Sequence, residues 1–203
     1  MSRLSDAAGR PGKLIVALAG NPNAGKTSVF NRLTGATQSV GNYPGVTVEQ
    51  KVGKVSHGGY ELSIVDLPGT YSLTAYSLEE VIARNFIVDS SPGAVVDVVD
   101  ASNLERNLYL MVQLMEMRCP LVIALNMVDK AKRRGLTIDT DRMAALLGVP
   151  VVATVGNRGI GTGELLDAIV AMSRAPGQGR PRPVSYGHEV ENEILKLAAV
   201  IET

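Results

Sequence analysis

Leu14-Ile15-Val16-Ala17-Leu18-Ala19-Gly20-Asn21-Pro22-Asn23-Ala24-Gly25-Lys26-Thr27-Ser28-Val29-Phe30 contains the decision about the fold. Six apolar residues in a row, followed by glycine, read as a strand buried on both faces. Lys26 to Leu33 then places apolar residues at helical spacing. Between strand and helix, Gly20 to Thr27 fits G-x-x-x-x-G-K-[ST], a loop whose glycines let the backbone wrap a phosphate with its N–H groups pointing inward. The helix that follows offers its N-terminal N–H groups and partial positive charge to the same anion. Lys26 is placed to reach the β- and γ-phosphates, and the Thr27 hydroxyl to hold Mg²⁺. Asn21, Asn23, Ala24, Gly25 and Ser28 complete the expected phosphate contacts.

Outward from this loop the pattern repeats. Ala94 to Val99 and Leu121 to Leu125 read as further buried strands, and Leu104 to Met117 and Glu164 to Met172 as helices. Val46 to Val55 and Tyr60 to Val65 alternate across the turn Ser56-His57-Gly58-Gly59 and read as an antiparallel hairpin. The expected fold is a three-layer α/β phosphate-loop domain. Its mostly parallel sheet has six or seven strands, one of them antiparallel, with helices on both faces and a C-terminal helical extension.

Two more strand ends carry chemistry. Asp66-Leu67-Pro68-Gly69 follows the second hairpin strand, where the Asp66 carboxylate can serve Mg²⁺ and the Gly69 N–H can meet a γ-phosphate. Asn126-Met127-Val128-Asp129 follows Leu121 to Leu125. An Asp129 carboxylate accepts two N–H bonds from the guanine edge, and adenine offers no such pair. The other reading of Asp129 is a helix cap. Thr154, Val155 and Gly156 end the last apolar run, Val149 to Ala153, and a backbone N–H there is expected to meet guanine O6. Motifs in this order point to GTP or GDP rather than ATP.

Composition bounds the alternatives. The 203 residues are 45% hydrophobic, enough for one full-sized core. Twenty basic residues balance twenty acidic ones, so no global field attracts nucleic acid. The single cysteine, Cys119, excludes an internal disulfide and reads as a small buried hydrophobe in a reducing compartment. The only histidines are His57 and His188, too few for a metal cluster, and Glu79-Glu80 reads as a solvated helix start. No signal peptide or membrane-length apolar run is visible, so the fragment reads as soluble. The expected divisions are a flexible tail over 1–12, the nucleotide domain over 13–174, a Pro/Gly-rich linker over 175–187, and the start of a helical domain over 188–203. That last segment has Val190, Ile194, Leu197, Ala198 and Ile201 at helical spacing.

The order of these motifs resembles the small G-protein family, within its Era-like bacterial branch. The segments between them are more specific. Val40-Gly41-Asn42-Tyr43-Pro44-Gly45-Val46-Thr47-Val48-Glu49, Asp66 to Leu73 and Val99-Asp100-Ala101-Ser102-Asn103-Leu104-Glu105-Arg106-Asn107-Leu108 resemble the ferrous-iron transporters of the FeoB family. The resemblance runs from about Lys13 to Met172. It implies a slow GTPase that switches iron(II) uptake at the cytoplasmic face of the bacterial inner membrane, through a membrane domain outside this sequence. Small accessory Feo proteins are implied partners, and self-association is left open.

By position, Thr47 then corresponds to the switch threonine that joins Mg²⁺ and the γ-phosphate. Ala36 to Val46 corresponds to a mobile first switch and Gly69 to Ser77 to the second. Thr70 stands where Ras-like proteins have a water-orienting Gln, so backbone groups from Gly45 through Val46 to Thr47 are expected to position water. Asn23 corresponds to the Asn that helps hold K⁺ against the β–γ bridge. The implied catalytic set is Lys26, Asn23, Thr47, Gly69 and Gly45, with Mg²⁺ on Thr27, Thr47 and Asp66 and K⁺ on Asn23. Two other readings compete: a ribosome- or tRNA-associated GTPase, and a nucleotide-binding module with negligible turnover.

Overall fold

The computed structural model describes residues 12–174 and 181–201, with side chains to residue 195. Gly12 already belongs to the first strand, while residues 1–11 of the tail expected over 1–12, linker residues 175–180, residues 202–203 and the side chains of Leu197, Ala198 and Ile201 lie outside the described part. Within it, the strands are β1 (Gly12–Gly20), β2 (Gln38–Asn42), β3 (Glu49–His57), β4 (Tyr60–Asp66), β5 (Ala94–Asp100), β6 (Leu121–Asn126) and β7 (Val151–Ala153). The helices are α1 (Lys26–Thr34), α2 (Leu78–Ser90), α3 (Leu104–Glu116), α4 (Val128–Arg133), α5 (Thr140–Leu147), α6 (Thr162–Arg174) and α7 (His188–Ile201).

One seven-stranded sheet runs in the order β2-β3-β4-β1-β5-β6-β7. β3 is antiparallel to both its neighbours, while β1, β4, β5, β6 and β7 pair in parallel. The hydrophobic alternation divides the core in two. Val16, Leu18, Leu62, Ile64, Val96 and Val98 pack under α1 and α6. Ala17, Val65, Val95, Val99, Ile123 and Leu125 pack under α2 and α3 on the other face. α3 shows how the pattern specifies its contact: Asn107, Leu110, Met111, Leu114 and Met115 fall on one stripe and are buried.

Strand β1 lies between β4 and β5, and the helices that follow β1 and β5, α1 and α3, cover opposite faces of the sheet. Ligands of open α/β sheets bind outside the strand C-termini at such a reversal. Gly20, Asp66, Asp100 and Asn126 are the last residues of β1, β4, β5 and β6, which gathers the motifs at one end.

Three elements go beyond the sequence reading. The first switch expected from Ala36 to Val46 contains β2, held by antiparallel pairing from Gln38↔Gly53 to Asn42↔Glu49. Every β2 residue is exposed, so the strand has no apolar alternation and its ladder alone defines it. α5 is capped by Asp139, whose side chain accepts the Arg142 N–H at 2.9 Å, and has no fully buried residue. Finally, residues 181–187 do not form a free spacer. The Arg182 N–H bonds to the Leu147 carbonyl at 3.0 Å, Val184 packs on the core, and the Tyr186 hydroxyl bonds to Glu116.

Candidate nucleotide site

The phosphate loop has a shape that side chains would obstruct. Gly20 has φ +151°, and a Cβ there would lie 2.6 Å from the Val98 carbonyl oxygen. Gly25 has φ +88°, and a Cβ would come within 2.3 Å of Asn126 Nδ2. Asn23 takes a left-handed conformation, φ 66°, which Asn tolerates better than most residues. The Ala24 N–H closes the turn on the Asn21 carbonyl at 3.1 Å. α1 then starts at Lys26 with no side-chain cap, so its first N–H groups have no intrahelical partner and face the loop.

Lys26 Nζ is salt-bridged to Asp66 Oδ1, and both side chains are 11% exposed. Two motifs forty residues apart therefore converge on one spot, with the cation and the carboxylate holding each other. Asp66 also anchors the loop between β2 and β3, because its carbonyl accepts the Tyr43 hydroxyl at 3.0 Å. Tyr43 is buried beside Phe86, and burial, with Asp66 nearby, pushes its phenol above its ordinary range. Beyond Asp66, the Leu67 N–H bonds to the Leu18 carbonyl at 3.0 Å and the Thr70 N–H to the Gly20 carbonyl at 3.3 Å. These bonds bring Gly69 against Pro22 of the phosphate loop.

On the base side, Asn126 is 2% exposed. Its Nδ2 donates to the Ala24 carbonyl at 2.9 Å, while its Oδ1 accepts the Gly156 N–H at 2.9 Å and the Thr154 hydroxyl at 3.3 Å. One amide at the end of β6 thus ties the phosphate loop to the loop after β7. Met127 has φ 60° and caps α4 without a side-chain bond. Asp129 therefore does not cap α4 and lies in its first turn, 3.6 Å from Arg133. A cavity of about 190 Å³ opens here, with Asn126, Met127, Asp129, Val155 and Gly156 in its wall.

These features lie within residues 14–169, which match the family model for ferrous iron transport protein B. The chain belongs to the FeoB family. It is 49% identical over 188 residues to the Fe(2+) transport protein A/FeoB fusion protein of Porphyromonas gingivalis, covering 92% of this chain and 22% of that protein. It therefore spans about a fifth of that relative's length. It is also similar to the cytosolic domain of Thermotoga maritima FeoB. In its GDP form II the identity is 42%, the TM-score 0.86, and the coverage 91% of this chain and 72% of that one. In its GMPPNP form the identity is 43%, the TM-score 0.85, and the coverage 90% and 72%.

The FeoB-like segment Val99 to Leu108 now has a physical account. Asp100 Oδ1 accepts both the Ser102 N–H at 2.8 Å and its hydroxyl at 2.7 Å, folding a short 3-10 turn. Asn107 locks that turn, accepting the Asp100 N–H at 3.3 Å and donating to the Asn103 carbonyl at 2.8 Å.

Other expected residues are placed less directly. Thr27, Gly45 and Thr47 are exposed and Val46 is half-buried. The N–H groups of Thr154, Val155 and Gly156, expected to supply the O6 donor, each have an internal partner: Leu125 carbonyl, Ile160 carbonyl and Asn126 Oδ1. Asn157, the next residue, lines the base cavity with Lys130 and Arg133, and sequence reasoning assigned none of the three.

Glu80 was also missed. Its carboxylate accepts the Ser72 hydroxyl at 2.7 Å, the Thr74 hydroxyl at 3.2 Å and the Tyr76 N–H at 3.0 Å. The Ser72 bond, foremost among these, holds its carboxyl below the usual range. The pair Glu79-Glu80 does start α2, and Glu80 also organises the loop from Ser72 to Tyr76. The signal was Ser77-x-x-Glu80, a capping-box spacing, and Ser77 does cap the helix. Cys119 is buried as expected, with its thiol pushed up to about 12 by burial. Among the described residues no cluster of three His, Cys, Asp or Glu could hold a metal, and no helix is long and apolar enough to cross a membrane.

Proposed function

We propose that this domain binds and slowly hydrolyses GTP, and that its nucleotide state regulates ferrous iron uptake across the bacterial inner membrane. The observation that carries this reading is the convergence of Lys26, Asp66 and the Asn126 network on one phosphate loop. Support for guanine comes from the T. maritima relatives solved in GDP and GMPPNP forms, and from an Asp129 carboxylate not used as a helix cap.

The donor set suits Mg²⁺: the hydroxyls of Thr27 and Thr47 and the Asp66 carboxylate are hard oxygen ligands. When bound, Mg²⁺ neutralises charge on the β- and γ-phosphate oxygens. To serve there, Asp66 must exchange its partnership with Lys26, which frees the ammonium for phosphate. The Asn23 side-chain oxygen is assigned to K⁺, a charge placed where other GTPases use an arginine. Thr70 has no side-chain amide to aim water, and it is buried with its N–H held by the Gly20 carbonyl. Water positioning falls to backbone groups of Gly45 to Thr47, which fits slow turnover. The P. gingivalis relative joins transport protein A and FeoB in one chain, so an accessory protein of that type, together with a membrane domain, is the proposed partner set.

The test is GTP turnover with Mg²⁺ in KCl and in NaCl at equal ionic strength, with ATP as control. Faster GTP turnover in KCl, abolished in Asn23→Ala, is the expected result. Equal, near-zero turnover in both salts with tight GDP binding would overturn the catalytic reading and leave a binding module.

A further inference from the structure

Three contacts form a closed circuit around the start of the second switch. The Thr70 N–H donates to the Gly20 carbonyl of the phosphate loop. The Arg106 guanidinium lies 4.3 Å from the centroid of the Tyr71 ring. The Asn21 Nδ2 donates to the Arg106 carbonyl at 3.0 Å, across 85 residues of sequence. One residue on α3 therefore holds the phosphate loop with its main chain and the second switch with its side chain. Asn21 is 3% exposed and its Oδ1 has no hydrogen-bond partner among the described residues, so the Arg106 carbonyl is what orients that amide.

We propose that Arg106 is a positioning residue for GTP: it sets where the Gly69 N–H meets the γ-phosphate. The inference rests on the GTPase reading above. Gly69 lies two residues before Tyr71, so pinning the ring restricts the peptide that carries its N–H. Residues further along are held separately, Ser72 and Tyr76 by Glu80 and the Leu73 N–H by Gln113 at 2.7 Å. Removing the stack therefore loosens Gly69 to Tyr71 and leaves the rest of the switch in place. The chemistry favours arginine, whose planar, weakly hydrated guanidinium lies flat on a ring where an ammonium would stay solvated. A diphosphate rests on the Gly20 to Ser28 loop without reaching Gly69, so the effect should be confined to the triphosphate state.

The experiment compares Tyr71→Ala, Tyr71→Phe, Arg106→Ala, Arg106→Lys and the double alanine variant. It reads kcat for GTP and the Kd of GDP and of a non-hydrolysable GTP analogue. Tyr71 and Arg106 are exposed, so an unchanged melting temperature is expected and checked. Each alanine variant should lower kcat and weaken the analogue by about two- to fivefold, the range of an exposed cation–π contact. GDP affinity should stay within about twofold, Tyr71→Phe should match wild type, and the double variant should be no worse than the worse single. Losses that multiply in the double variant, GDP affinity that falls in parallel, or an unchanged analogue affinity would each overturn the role. If the wild type itself fails to turn GTP over, the GTPase reading falls, while the analogue-to-GDP affinity ratio still decides on Arg106.

Discussion

The base side and the γ-phosphate side of this site are built differently. On the base side one buried amide, Asn126, joins three loops through hydrogen bonds between main chain and side chain. On the γ-phosphate side the residues that would meet the nucleotide hold one another, Lys26 with Asp66, or are exposed, as Thr27 and Thr47 are. A buried, satisfied network has one low-energy arrangement, because leaving any member unpaired carries a desolvation cost. A salt bridge between two groups that both have a use for phosphate or metal has two arrangements. The difference separates a part of the site with one arrangement built in from a part that can exchange partners; under the proposed function the first would recognise the base and the second would switch.

The largest expected effect tests recognition. Asp129→Asn replaces a double acceptor with one acceptor and one donor, which suits xanthine better than guanine. The GTP-to-XTP preference should change by about 10⁴-fold, measured by competition binding; an unchanged preference would place the base elsewhere. Next comes the scaffold. Asn126→Ala strands the Gly156 N–H and the Ala24 carbonyl and should cost roughly 2–4 kcal/mol of stability, read by denaturant unfolding. A cost under about 1 kcal/mol would show that the base side is not pre-built.

A smaller effect is expected at the switch. Glu80→Gln keeps the size but weakens the bonds from Ser72, Thr74 and Tyr76, for about 1 kcal/mol. Amide exchange over residues 70–77 should accelerate while exchange in α4 stays unchanged; acceleration in both would erase the contrast between the two sides. A pH-dependent effect lies under both. Burial pushes the Asp97 carboxyl up to about 7, so the folded chain keeps a proton that the unfolded chain releases in the ordinary aspartate range. Stability should be full at acid pH, fall as pH rises toward about 7 and level off above it. Asp97→Asn should flatten that slope in thermal melts; an equal slope would assign it to other groups.

What could be read from the sequence follows the same division. That Gly20, Gly25, Lys26, Asp66, Asn126 and Asp129 gather at one end of the sheet was legible because the motifs containing them follow buried strands at fixed spacing. β5 and β6 were legible as unbroken apolar runs. β2 was not, since Gln38 to Asn42 are all exposed and only pairing with β3 defines them. The reach of Glu80 to Ser72, Thr74 and Tyr76 was hidden because it depends on how the loop before α2 folds back. That the N–H groups of Thr154 to Gly156 are already engaged is a tertiary fact, set by Leu125, Ile160 and Asn126, and no local pattern reports it.

The segment from Pro181 to Gly187 also has a mechanical meaning. It is fastened at Arg182 to the end of α5 and at Tyr186 to the end of α3, and α7 begins at the following residue. A pull on α7 therefore loads Tyr186 on Glu116 first and Arg182 on Leu147 second, one bond at a time as in unzipping. Force arriving from that side is taken up along α3, the helix whose first turn carries Arg106, before it strains the sheet.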